Sequence, residues 1–497
     1  MMLPQGWIET QLEVICHSIN YGCTSTSDAK RGDIRYIRIT DIQDNDVEWS
    51  NVPYLVTPPK DIEKYELNKG DLVFARTGAT VGKSHLFVAL PYRSVFASYL
   101  IRVRCNEKFL CPIYAKWFFQ SPQYWKQIND GAEGTGQPNF NGTKLAHLVV
   151  PLPPLAEQRR IVAKLDSLTA RIARARAELK RVVEASPSAK RTVLRSGVLG
   201  ELTETWRSHV AQENIESILK RIPIPKQGRG GRTATDKVIH GAAALSVNKP
   251  DIKLPDGWGW VPLLRLARQE TGHTPSRSKP EYWDGDISWI GIRDAGTHHG
   301  RRIDHTLQTI TNAGLANSSA RLLPAGTVCL SRTASVGYVT IMNKPMATSQ
   351  DFATWTCSDA LIPEFLMFAL MAEGQDIRKF GMGSTHTTIY FPEIRALHIA
   401  LPPVTEQIEI VRRIHSDLSR LDRLETEAQR ALTLIDRLES SLLAKAFRGE
   451  LVPQDPNDEP ASVLLNRIRT ERAADTKPKR GRKQSTQDMP VPKKRQT

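Results

Sequence analysis

One short stretch limits what this chain can fold into more than any other. LPPLAEQRRIV at Leu152–Val162 returns 249 positions later as LPPVTEQIEIV at Leu401–Val411, with seven of eleven positions identical. In both places a strand-like apolar run ends at a double proline and a long amphipathic stretch begins. Solenoid units repeat every ~20–50 residues, so this period is too long for one. It is the size of a domain plus a connector, and the chain is expected to hold two copies of one module in tandem.

The rest of the sequence keeps that order. LPQGW at Leu3 answers LPDGW at Leu254, and GDIRYIRITDI at Gly32 answers GDISWIGIRDA at Gly285, with Asp41 against Asp294. NKGDLVFARTGATVG at Asn68 matches LPAGTVCLSRTASVG ending at Gly337, and GTGQPNFNGTKL at Gly134 matches GSTHTTIYFPEI at Gly383. Alternating β-branched and aromatic residues predict strands, and Trp117, Phe118 and Trp125 fall at helical spacing. Each module is therefore mixed α and β. Scaffold positions persist while loop contents differ, so the two modules are built alike to recognise different things.

The connectors read as helices. Ile161, Leu165, Leu168, Ile172, Ala175, Leu179 and Val182 alternate four and three apart, an unbroken heptad seam. Ser186-Pro187 reads as an N-cap and first-turn proline that restart the helix. Ile410, Ile414, Leu421, Leu424, Ala428, Ala431, Ile435, Leu438 and Leu442 keep register in the second connector, with Asp417 a polar exception. A long helix with one apolar stripe is not stable alone in water, so each is expected to pair with the other. Gly200 and Gly449, within VLGEL and FRGEL, are expected C-caps.

The expected organisation is a recognition module at 1–152, a helix at 153–200, a short helix and flexible basic linker at 201–253, a second module at 254–401, a helix at 402–449, a short helix at 450–475 and a disordered basic tail at 476–497. The fold class is α+β: two similar α/β modules, two long antiparallel coiled-coil helices and a pseudo-twofold internal repeat.

The net charge of +15 favours a polyanionic partner, nucleic acid before membrane. Six cysteines without a CxxC pair, Cys16, Cys23, Cys105, Cys111, Cys329 and Cys357, argue for reduced thiols rather than zinc or disulfides. With no apolar leader and no uninterrupted apolar run of ~18 residues, a cytoplasmic location is expected.

Catalytic signatures are missing. RTGATVGKS at Arg76–Ser84 has Thr77 where a phosphate loop requires glycine. No methyltransferase quartet, helicase loop or nuclease carboxylate cluster is found, and His298, His299 and His386 share no ligand spacing with a carboxylate or cysteine, so no metal site is expected. The better reading of Arg76–Ser84 is a hairpin tip whose Arg, Thr and Lys side chains meet phosphates or base edges. Gln and Asn read adenine bidentately and Arg reads guanine. The candidate DNA-binding set is Arg76, Thr77, Lys83, Ser84, Gln137, Asn139 and Asn141 in the first module, and Arg332, Thr333, Ser335, His386 and Thr387 in the second.

Two modules bounded by L-P-x-G-W and L-P-P-x-x-E-Q, joined by heptad helices ending in G-E-L, resemble the specificity subunit of type I restriction-modification systems. The resemblance runs from Leu3 to about Arg469, and TPSRSKPEYWDGDISW at Thr274–Trp289 is similar to that family's target recognition domains; Cys23–Asp28 lacks the TPS pattern. It implies a non-catalytic subunit that reads one half of a split, asymmetric duplex site with each module. It also implies that the helices set the spacer and hold two methyltransferase subunits, with motor-endonuclease subunits joining them. S-adenosylmethionine, ATP and Mg are then expected on those partners and no cofactor in this chain. Two alternatives stay open here: a coiled-coil scaffold without a nucleic-acid role, and a self-contained methyltransferase or nuclease.

Overall fold

The computed structural model describes residues 3–43, 46–132, 138–210, 213–227, 233–333, 335–382 and 387–475. The chain divides into two compact units, Met1–Glu178 with Ala431–Thr497, and Leu179–Arg430. Two long helices, Leu155–Val198 and Val404–Ala446, each contribute one part to either unit.

The sequence repeat is a repeat of topology. In the first unit the central sheet runs Cys16–Tyr21, Leu100–Cys105, Asp71–Ala75, Ser84–Leu86, with every neighbouring pair antiparallel. In the second the same order and senses return as Ala267–Thr271, Phe352–Cys357, Val328–Ser331, Val339–Met342, with Arg302–Ile303 added at the edge. Each unit also has a smaller sheet holding a parallel pair, Arg35–Ile37 with Ser94–Phe96 and Trp283–Ile290 with Ala347–Thr348. Asp71–Ala75 is buried throughout because both its faces are covered. Leu72 and Phe74 enter the core shared with the helices, while Val73 and Ala75 enter a second cluster. Side chains alternating across a strand produce this split. Val328 and Leu330 are separated from Cys329 in the same way.

The structure explains why the bounding motifs recur. The indole of Trp7 donates to Glu157 at 3.0 Å, and that of Trp258 donates to Glu406 at 2.8 Å. The next residue is an amide that ties the helix start to the sheet domain. Gln158 accepts from the Cys111 N–H at 2.9 Å and donates to the carbonyls of Phe109 and Pro153 at 2.8 and 3.1 Å. Gln407 accepts from the Ile362 N–H at 2.8 Å and donates to the carbonyls of Ala360 and Pro402, both at 2.9 Å. Buried polar groups left unpaired cost ~1–3 kcal/mol each, so these side chains are hard to replace.

The helices differ from the expected seam in three respects. Leu155–Val198 is continuous, with Pro187 inside it, so Ser186-Pro187 does not restart a helix. The Ser186 hydroxyl instead donates across to Glu425 at 2.7 Å. The apolar seam is also broken. Ile161, Leu165, Ile172, Ile410, Ile414, Ala428 and Leu442 are buried, and Leu168, Leu179, Leu421 and Ile435 are half-buried. Ala175, however, is exposed, as are Val182 (42%), Leu424 (45%) and Leu438 (53%). Polar cross-links occupy the seam instead: Arg176 bonds Asp436 and Glu439 at 2.7–2.8 Å, and Lys190 bonds Asp422 and Glu425 at 2.6–2.7 Å. Inward positions run Leu168, Ile172, Arg176 and Leu179, so two four-residue steps follow one another where the heptad would alternate four and three, and such a step rotates the stripe. Within the second unit the helices are antiparallel, since Gly197 abuts Ile414 while Lys190 reaches Asp422. As expected, both end at a glycine with positive φ, Gly200 (78°) and Gly449 (75°), conformations that favour glycine. A Cβ there would meet Trp258 at 2.8 Å and Pro4 at 2.3 Å.

The stretch 223–250 is not wholly a linker. Ile239–His240 and Leu245–Val247 join the sheet of Leu397–Leu401 and Gly259–Pro262. In the turn between those strands and at the start of the second, the backbone N–H groups of Ala242, Ala243 and Leu245 all donate to the Glu373 carboxylate. The short helices also find partners within their own units. Ile215 belongs to the second unit's core, and Ala461 and Leu464 to the first's.

Candidate nucleic-acid interface

In each unit a loop corner forms where the central strand ends. Arg76 follows Asp71–Ala75, and Arg332 follows Val328–Ser331. The Arg76 N–H donates to the Tyr99 carbonyl at 3.1 Å, and its own carbonyl accepts from the Phe140 N–H at 2.9 Å. Arg332 repeats this with the Asp351 carbonyl at 2.8 Å and the Ile389 N–H at 2.9 Å. Three segments thus converge: the arginine loop, the turn at 97–100 or 349–352, and the loop leading to the last strand of the module.

Most of the first unit's candidates meet at its corner. Thr77 is half-buried and bridges exposed Asn139 through the backbone. The Asn141 side chain accepts from the Lys144 N–H at 2.9 Å and caps helix Gly142–Ala146. The Arg76 guanidinium lies 5.0 Å from the centroid of the Tyr21 ring. Lys83 and Ser84 are placed elsewhere. Ser84 is buried, and both line a cavity of about 410 Å³ with Trp125 and the helix residues Asp436 and Glu439. The turn is anchored there by the Tyr124 hydroxyl, which donates to the Gly82 carbonyl at 2.6 Å.

In the second unit Arg332 lies 4.5 Å from the Phe391 ring centroid and donates to the Gln350 carbonyl at 3.0 Å. The Thr333 hydroxyl donates to Asp351 at 2.7 Å, and Ser335 offers its carbonyl to the Ser331 hydroxyl. Thr387 is half-buried. Gln137 and His386 lie outside the described residues.

Sequence reasoning missed Tyr21 (43% exposed), Tyr99 (57% exposed) and exposed Gln350, all at these corners. It also missed Arg277, stacked 4.8 Å from the Trp283 centroid beside exposed Lys279. Aligning the turn at 97–100 with that at 349–352, through the strands that follow them, is the signal that finds Tyr99 and Gln350.

Burial lowers the pKa of His299, whose Nδ1 accepts from the Val339 N–H at 3.0 Å. All six cysteines are free thiols, and burial pushes Cys357 up to about 12, far from the reactive thiolate. Among the described residues no His/Cys/Asp/Glu group of three or more is placed to hold a metal ion. No helix among them is long and apolar enough to cross a membrane.

Comparison with known proteins matches this repeated architecture to one family. The family model for the type I restriction modification DNA specificity domain covers residues 4–185 and 255–434, once per module with most of the long helix that follows it. The chain belongs to this family. Two relatives align over almost their full length. The EcoKI specificity subunit of Escherichia coli (strain K12) is 26% identical over 507 residues, 97% of this chain and 99% of that one. The StySPI specificity subunit of Salmonella potsdam is 25% identical over 501 residues, with the same coverage. The crystal structure of the HsdS subunit from Thermoanaerobacter tengcongensis shares the fold, with a TM-score of 0.59 at 20% identity over 90% of this chain and 98% of that one.

Proposed function

We propose that this chain is the DNA-reading subunit of a type I restriction-modification assembly, with each unit reading one half of a split, asymmetric site. The observation that carries this is the repeated corner: one backbone arrangement in both units, furnished with Tyr21, Tyr99 and Asn139 in one and Gln350, Asp351 and Thr387 in the other. Two modest readers on one chain gain affinity through effective concentration only where both half-sites lie at the right separation. The chain's contribution is recognition and scaffolding. Two methyltransferase subunits supply S-adenosylmethionine-dependent adenine methylation, and motor-endonuclease subunits supply ATP- and Mg-dependent translocation and cleavage. Surface cations add a sequence-independent attraction that weakens with salt.

The test is methylation sequencing of a host carrying this chain with its methyltransferase subunits. A bipartite motif with a fixed non-specific spacer is expected. A single uninterrupted motif, or no sequence-specific methylation, overturns the reading. Removing one heptad from each long helix shifts the spacer and leaves both half-sequences intact if the helices set the interval.

A further inference from the structure

The corners of the two units share part of their content and differ in the rest. Arg76-Thr77 and Arg332-Thr333 are the same residues making the same backbone hydrogen bonds. What differs is the turn that receives the arginine N–H: Ala97-Ser98-Tyr99-Leu100 in one unit, Ser349-Gln350-Asp351-Phe352 in the other. A side chain kept in two heads that read different half-sites is not what tells those half-sites apart. A side chain that changes on a preserved backbone is. This argument rests on the DNA-reading function proposed above.

We propose that Gln350 is a base-reading residue of the second unit with adenine as its preferred base, and that Arg332 and Thr274 are its positioning residues. Gln350 is exposed at the turn. Its carbonyl is held by the Arg332 guanidinium at 3.0 Å, and its side-chain Oε1 accepts from the Thr274 hydroxyl at 2.6 Å. A hydroxyl donor on Oε1 fixes which way the amide faces. The amide N–H groups and the second Oε1 lone pair then remain for a ligand, and this donor–acceptor pair matches N7 and N6 of adenine in the major groove. The neighbouring Asp351 is already occupied, accepting from Thr333 at 2.7 Å and Ser349 at 3.1 Å. Gln350 is therefore the polar side chain of this turn left to face a base. The loop that begins at Thr274 also carries exposed Arg277 and Lys279, which suit the flanking phosphates.

The experiment measures methylation motifs for the assembly of this chain with its methyltransferase subunits, comparing wild type with Gln350→Ala, Gln350→Glu and Thr274→Ala. Gln350→Ala is expected to flatten the preference for one A·T pair in one half-site, a discrimination on the order of 10- to 100-fold. Gln350→Glu is expected to move that preference toward cytosine, whose amino group a carboxylate accepts. Thr274→Ala is expected to weaken preference at the same pair without changing its identity. The other half-site serves as the internal control, and its unchanged reading shows an intact assembly. If both Gln350 variants keep the wild-type motif with undiminished preference, this proposal fails while the DNA-reading function stands. Uniform weakening across all sequences, the signature of a phosphate contact, also overturns it. A wild-type assembly without any motif removes both.

Discussion

The two units solve one structural problem with unequal completeness. Both bury a carboxylate at the start of a long helix and give it a tryptophan indole, Trp7 on Glu157 and Trp258 on Glu406. In the second unit Glu406 also accepts from the Thr203 hydroxyl and the Arg207 guanidinium, each at 2.8 Å, so the charge is paired and hydrogen-bonded. In the first, Glu157 Oε1 is buried without a hydrogen bond of ordinary geometry, and burial raises its pKa. Conservation of a motif therefore does not guarantee conservation of its energetics. The segment after each helix, TETWR in one unit and VPQDP in the other, decides how the shared carboxylate is served.

The largest expected effect tests that contrast directly. Glu406→Ala strands Arg207, Thr203 and Trp258 together, and breaking a buried pair costs about 3–5 kcal/mol. Glu157→Ala strands one indole and is expected to cost about 1–3 kcal/mol. Hydrogen exchange resolved by unit reports both losses, and equal values would break the comparison. A smaller effect of opposite sign is expected at Pro187, which lies in the second unit's part of the first long helix. Pro187→Ala restores an N–H and is expected to raise that unit's stability by about 1–2 kcal/mol. The gain stays below the ~3 kcal/mol of an interior proline because proline also restricts the unfolded chain.

The smallest effects are pH-dependent and differ in sign between the units. The side-chain hydrogen bond from Arg412 leads in lowering the Glu409 pKa to about 2, with Arg413 adding to it. A depressed carboxylate stabilises above its unfolded pKa, and that contribution disappears as pH falls toward 2. Because Arg412 is exposed, Glu409→Gln is expected to cost under about 1 kcal/mol at neutral pH and nothing near pH 2. Glu157 has a raised pKa, so its charge opposes folding at neutral pH and the penalty disappears as pH falls through its folded pKa. Glu157→Gln is therefore expected to gain on wild type as pH rises from about 4 to 7. Denaturant midpoints from about pH 2 to 7 check both signs.

The repeat made the topology legible because strand order follows from matched motifs, and Asp41 and Asp294 duly hold equivalent backbone N–H groups, those of Arg38 and Gly291. The helix seam was only partly legible. A heptad count sees Ala175 and Val182, whereas the structure turns Arg176, Ser186 and Lys190 inward because acidic partners on the other helix meet them. Composition suggested a flexible linker across 223–250, since nothing local reveals that Glu373, 131 positions beyond Ala242, supplies the acceptor for that backbone. At the candidate interface Arg76 and Arg332 stood out through repetition. Gln350 and Tyr99 did not, because turn residues align only once the strands on either side have been paired.

The first unit is assembled from both ends of the chain. Phe447, at the close of the second long helix, packs against Tyr114 and Phe118 with ring centroids 5.2 and 5.5 Å apart. On the ribosome Tyr114 and Phe118 therefore wait for a partner made about 330 residues afterwards, on the order of 15–70 s at ordinary elongation rates. The later, contiguous unit has all its pieces sooner, so the order in which the two mature is expected to reverse the order in which they are translated.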